Sequence, residues 1–216
     1  MTLPGSRHLL CLMLFAHLAA GCTCTAPWSR TRALFDGRSF AGWDGDIAKT
    51  WRIEKGEIVA GSLLEKAPRN EFLATTANYT NFVLRLKFHL TGTEGFVNSG
   101  VQIRSQRVPN DSEMSGYQAD IGEGWYGTIY DESRRNKPLI KPSEAAVKQA
   151  VKVGQWNDYE IRAVGPRITL AINGVQMVDY TEPDPSIPQF GRLGLQIHGG
   201  GKTIIRFKDL RLETLP

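Results

Sequence analysis

An all-β chain arranged as an antiparallel sandwich or jelly roll is the fold this sequence predicts, on three observations. Apolar residues alternate with polar ones in short runs, most plainly Phe82, Leu84, Leu86, Phe88 and Leu90. Turn pairs such as Lys55-Gly56 and Asn173-Gly174 separate the runs, and helical composition is confined to one short stretch. With 216 residues, 41% of them hydrophobic and 22% charged, the chain can build one substantial core, so a single domain is expected. The net charge of +4 is mild, and cations are interspersed with acids, as where Asp131-Glu132 precedes Arg134-Arg135. That pattern reads as a solvated surface and argues against nucleic acid as a partner.

Residues 1–21 read as a targeting segment. Arg7 precedes the apolar run Leu9 to Ala20, which is long enough for a signal-peptide core and short for a membrane span. The run ends in Leu18-Ala19-Ala20-Gly21-Cys22, which resembles a bacterial lipoprotein signal, cleaved before Cys22 and carrying lipid on its thiol. Ala19 stands where that signal usually has leucine, so ordinary cleavage near Ala20 is the alternative. Either route exports the chain. The lipoprotein route places it on the periplasmic face of the envelope or on the cell surface, held to the membrane through Cys22. Residues 22–32 then form a tether and residues 33–216 the folded domain. The three cysteines are Cys11, Cys22 and Cys24, so the domain itself has no thiol for a disulfide or a metal.

Within the domain, Trp51 to Ala60 reads as a hairpin turning at Lys55-Gly56. Phe72 to Ala74 is a short strand, and Asn81 to Leu90 a longer one whose Arg85, Lys87 and His89 meet solvent. A break from Thr91 to Phe96 leads to a strand over Asn98 to Arg104. Gly116 to Ile121 is the next strand, followed by a glycine-hinged loop, Gly122 to Gly127, that carries Trp125 and Tyr126. Helix formers from Glu144 to Ala150 follow Ser143, an N-cap residue, and give one or two helical turns. Trp156 to Ala163, Ile168 to Ile172 and Val175 to Tyr180 are strands joined by Gly165-Pro166 and Asn173-Gly174. Gly191 to His198 and Thr203 to Leu212 complete the set. In the last, Leu210 falls three residues beyond Phe207, which predicts a bulge near Lys208-Asp209.

Three of these strands share one parity. Side chains alternate across a strand, so Gln102 and Arg104 oppose Val101 and Ile103, while Gln118 and Asp120 oppose Tyr117, Ala119 and Ile121. Gln196 and His198 oppose Leu193, Leu195 and Ile197 in the same way. As neighbours, these strands would present one wall of Gln, Arg, Asp and His.

The chain also carries an ordered set of motifs: Phe35-Asp36-Gly37 with Gly42-Trp43, Asn98 to Arg104, Gly116 to Ile121, Trp156-Asn157-Asp158-Tyr159, Ile172-Asn173-Gly174 and Gly191 to His198. In that order they resemble the 3-keto-disaccharide hydrolase family, over about Ala33 to Leu212. The resemblance implies a concanavalin-like jelly-roll sandwich of two antiparallel sheets. It also implies cleavage of 3-keto-glycosides by hydrolysis or by elimination, downstream of an oxidoreductase that makes the ketone. One motif departs: many members have Tyr-Glu-x-Gln where this chain has Tyr117-Gln118-Ala119-Asp120.

The chemistry so implied needs a base near C2, a donor or cation at the enolate oxygen and a proton for the leaving group. Arg104 suits the oxyanion, and His198 suits the base because imidazole titrates at about 6.5. Asp120 is either the base or the leaving-group acid. Gln102, Gln118 and Gln196 would hold sugar hydroxyls, Trp125 and Tyr126 a pyranose face, and Tyr130 a proton or hydrogen bond. For direct hydrolysis Asp120 and Glu123 are the carboxylate pair to test. No phosphate loop, serine nucleophile elbow or metal-ligand spacing occurs, so neither cofactor nor metal is expected. The rival reading is a carbohydrate-binding lipoprotein module without catalysis, since such a fold serves both roles.

Overall fold

A computed structural model describes Met1 and residues 31–216; the signal segment, most of the tether and Cys22 lie outside the described residues. The strands are β1 (Thr31–Ala33), β2 (Trp43–Asp44), β3 (Trp51–Glu54), β4 (Glu57–Gly61), β5 (Glu71–Thr75), β6 (Phe82–Gly95), β7 (Asn98–Arg107) and β8 (Met114–Gly122). After these come β9 (Ile129–Glu132), β10 (Lys137–Ile140), helix α1 (Glu144–Ala150), β11 (Asn157–Val164), β12 (Arg167–Ile172), β13 (Val175–Thr181), β14 (Arg192–Ile197) and β15 (Gly201–Thr214). They form two antiparallel sheets, as expected. One has the order β13-β12-β11-β6-β15-β4-β3 with β1 added against β15, and the other β10-β9-β8-β7-β14-β5-β2.

The facing sides of the two sheets make one core. From the first sheet it receives Phe82, Leu84, Leu86, Phe88 and Leu90 of β6 with Ile205, Phe207, Leu210 and Leu212 of β15. From the second it receives Val101, Ile103, Tyr117, Ala119, Ile121, Leu193, Leu195 and Ile197. The β15 register shifts between Lys208 and Arg211, with Asp209 at φ 55°, and this bulge returns Leu210 and Leu212 to the core. Both two-residue hairpins turn through left-handed backbone, Lys55 and Gly56 at φ 51° and 80°, Asn173 and Gly174 at 49° and 80°. That geometry matches the twist of the strands it joins. Ser143 caps α1, its Oγ accepting from the Ala146 amide at 3.2 Å.

The expected break after Leu90 does not occur. β6 continues to Gly95, paired to β15 as far as Gly201. Backbone pairing alone carries this stretch, and Gly92 has the Val97 side chain where a Cβ would sit. Side-chain alternation was therefore no guide to it.

Arg134 and Arg135 are also not a solvated patch. Both bind the buried carboxylate of Asp131, and Arg135 reaches Glu182 at 2.7 Å. Tyr117 and Tyr180 donate their hydroxyls to Glu182 at 2.7 and 3.0 Å. Burial would push the Glu182 carboxyl up, yet Arg135 and these donors hold it at about 2, against an ordinary 4.5. Its folded value lies below the unfolded one, so its contribution is complete above the unfolded value and is lost as pH falls towards 2. Denaturant melts between pH 7 and pH 3 are expected to show roughly 2 kcal/mol of acid destabilisation from this site, absent in Glu182→Gln. Equal acid loss in both proteins would refute the assignment.

Candidate functional site

The three strands picked out by parity are adjacent, in the order β14-β7-β8, and β9 extends them. Gln196 lies opposite Gly100 and Gly100 opposite Asp120, while Gln102 lies opposite Gln118 and Gln118 opposite Tyr130. These polar side chains share the side of the sheet that faces away from the core. At one end of it is a cavity of about 150 Å³ lined by Phe96, Asn98, Gln118, Asp120, Trp125, Tyr130, Glu132 and His198. A larger cleft of about 670 Å³, between Asp44, Arg69, Arg107 and Asp111, holds none of the expected site residues.

Of those residues the cavity gathers His198, Asp120, Gln118, Trp125 and Tyr130. Gln102 stands behind the lining, fully buried, its Nε2 donating to Gln118 Oε1 at 3.1 Å. Gln196 is fully buried in the wall, and neither of its amide atoms has a partner among the described residues.

Three residues go elsewhere. Arg104 leaves the wall because β7 carries a bulge between Ile103 and Gln106, where Arg104 adopts φ 48° and the face alternation reverses. Its guanidinium is spent on the Thr80 and Gly165 carbonyls, Gln189 Oε1 and Asn81 Oδ1, so it does not line the cavity. Tyr126 is a core residue, stacked on Phe88 at 6.3 Å, because the Gly122 to Gly127 loop folds inward at that position. Glu123 is exposed at the loop tip and does not reach the cavity.

In place of Glu123 the cavity has Glu132, which the sequence reading missed. The alternation Tyr130-Asp131-Glu132 carried the signal, since residues two apart share a face and Tyr130 was already a candidate. Asn98 was similarly in phase with Gly100 and Gln102. Phe96 lies in the β6–β7 connection and had no periodicity to betray it.

Burial sets the electrostatics. Asp120 is 3% exposed, and burial pushes its carboxyl well above the carboxylate range, opposed by the Gln118 Nε2 donor at 2.7 Å. Burial therefore favours its protonated form. Glu132 is raised to about 7 by burial first and by the charge of Glu113 second. His198 holds Nδ1 2.7 Å from the Gly199 carbonyl, which makes Nδ1 the protonated nitrogen and leaves the Nε2 lone pair free. Burial lowers its pKa, and the Phe96 ring meets it edge-on at 4.6 Å. On the β9 side, Trp125 stands edge-on to Tyr130 at 5.8 Å, with Lys141 Nζ 4.2 Å over its ring. Among the described residues no group of three or more His, Cys, Asp or Glu is arranged to hold a metal ion.

The fold is similar to several solved structures. A candidate glycosyl hydrolase from Parabacteroides distasonis has a TM-score of 0.66 at 21% identity, covering 86% of this chain and 94% of its own. The carbohydrate-binding module CBM66 from Bacillus subtilis has a TM-score of 0.62 at 14% identity, covering 80% and 96%. A legume lectin-like domain from Entamoeba histolytica has a TM-score of 0.53 at 16% identity, covering 82% and 91%. No curated protein sequence matches the chain. The family of 3-keto-alpha-glucoside-1,2-lyase-like domains matches residues 30–213, nearly the whole described chain; the protein belongs to that family and has, with it, a carbohydrate-related role.

Proposed function

We propose that the cavity cleaves 3-keto-glycosides by elimination across C1 and C2. The observation that carries this reading is the set of groups gathered in one small space: a buried carboxyl pushed towards its acid form at Asp120, a carboxyl raised to about 7 at Glu132, and an imidazole with free Nε2 at His198. In sheet order Asp120 lies on β8 between His198, at the end of β14, and Glu132, on β9.

A C3 ketone acidifies the C2 proton. His198 Nε2 takes that proton, and the electron pair moves to the ketone oxygen, which accepts a hydrogen bond from the Asp120 acid. The enolate then re-forms the ketone, a C1–C2 double bond appears, and the C1–O bond breaks. Glu132 gives its proton to the departing oxygen. The products are a 1,2-unsaturated 3-keto-sugar and the free alcohol. Asp120 and the amide of Gln118 replace Arg104 as the polar groups that meet the substrate. The ketone must come from oxidation of the C3 hydroxyl by a sugar oxidoreductase, and lipid on Cys22 would hold the enzyme in the envelope where both act.

Incubation of the purified protein with 3-keto-glycosides and their unoxidised parents is the direct test. The expected result is aglycone release from the ketones alone, with a sugar product whose mass lacks the added water of hydrolysis. Binding without release from any ketone would identify a carbohydrate-binding module instead. Turnover should follow a bell in pH. It falls on the acid side as His198 protonates below its ordinary 6.5, and on the basic side above about 7 as Glu132 loses its proton. A flat profile across this range would rule out these two groups.

A further inference from the structure

Two residues that never reach the cavity set the direction of a hydrogen-bond chain that ends on Asp120. Ser105 is fully buried, and its Oγ lies 2.6 Å from Gln102 Oε1. The same hydroxyl lies 2.9 Å from the Ile103 carbonyl, but its shorter contact, at an O–H···O length, is to Gln102, so Ser105 donates there and Gln102 turns its oxygen towards it. The Gln102 nitrogen then faces Gln118 Oε1 at 3.1 Å, an ordinary N–H···O length. Gln118 must in turn present its nitrogen to Asp120 Oδ1, at 2.7 Å. Neither amide can turn over alone without setting two donors or two acceptors face to face across the Gln102–Gln118 contact. Gly100 gives Gln118 its seat, since a Cβ there would stand 2.6 Å from Gln118 Cδ.

We propose that Ser105 and Gln102 are positioning residues that fix which oxygen of Asp120 carries the proton. Oδ1 is held as an acceptor by Gln118, so the acid proton sits on Oδ2, where it is available to a ligand in the cavity. The other groups facing Asp120 do not substitute for this. Tyr130 and Glu132 come from β9, Lys141 follows β10, His198 follows β14, and Tyr159 of β11 reaches only the Asp120 backbone carbonyl, at 3.4 Å. The consequence for catalysis rests on the elimination reading above. With the chain reversed, Asp120 would donate to Gln118 and not to the ketone oxygen.

The test is Ser105→Ala, which removes the one hydroxyl that sets the direction. The carboxyl carbon of Asp120 is titrated by ¹³C NMR in the ligand-free protein, its signal assigned by loss in Asp120→Asn. Loss of an N–H donor that favours the ionised form should move the Asp120 midpoint up by about one pH unit, with Ser105→Cys, a weaker donor of similar shape, falling between. On a 3-keto-glycoside, kcat should fall about ten-fold with KM little changed, the equivalent of one hydrogen bond lost in the transition state. An Asp120 midpoint unmoved in both variants overturns the proposal, whatever happens to kcat. If the wild-type protein releases no aglycone, the elimination reading fails while the titration still decides the hydrogen-bond chain.

Discussion

His198→Ala is expected to lower turnover of a 3-keto-glycoside by roughly 10²–10⁴-fold, the range for losing a positioned general base. The imidazole is partly exposed at the end of β14, and its polar contact is its own neighbour's carbonyl. Its removal should therefore leave the fold intact, which a thermal melt within a few degrees of wild type would establish. The loss should fall on kcat more than on KM, because the nitrogen bonds the C2 proton in the transition state and little in the ground state. Turnover unchanged in a folded His198→Ala protein would move the base to Glu132. The acid limb of the pH profile separates the cases, since it should vanish with His198 if His198 is the base.

Asp120→Ala is expected to cost roughly 10²–10³-fold, the effect of deleting one donor to a developing oxyanion. The variant also leaves the Gln118 amide without its acceptor in a buried position, so some destabilisation accompanies it, about 1–3 kcal/mol by denaturant melt. Asp120→Asn is the informative companion. With its oxygen towards Gln118 it keeps an N–H donor on the cavity side, and should retain part of the rate. Were Asp120 instead the base that removes the C2 proton, both variants would be equally inactive. The comparison thus distinguishes an acid held neutral by burial from a carboxylate acting as base.

The wall was legible in the sequence because it depends on period two. Gln102, Gln118, Asp120 and Gln196 needed only strands and neighbours, and both hairpin turns and the β15 bulge announced themselves through glycine, asparagine and a three-residue step in the apolar pattern. Arg104 was misplaced for a related reason. A bulge reverses parity, and nothing in Ile103-Arg104-Ser105-Gln106 shows where the extra residue falls, since Arg104 is not a glycine. Tyr126 and Trp125 stand side by side in one glycine-hinged loop, and only the folded loop sends one into the core and the other to the cavity. The Asp131, Arg135 and Glu182 cluster joins residues far apart in the chain, beyond the reach of any local pattern.

The bulge in β7 has a further consequence for charge. On β8 only Gly116 lies between the residues paired to Ile103 and Gln106, whereas β7 has both Arg104 and Ser105 in that interval. Were β7 regular, Arg104 would occupy the wall two places from Gln102, close to the amides that lead to Asp120, and a permanent cation there would favour the ionised carboxylate. The inserted residue turns the guanidinium to the carbonyls of Thr80 and Gly165 and brings a small neutral hydroxyl to the wall. One extra residue in a strand thereby keeps this guanidinium away from the amides that lead to Asp120, where it would have opposed the upward push of burial on that carboxyl.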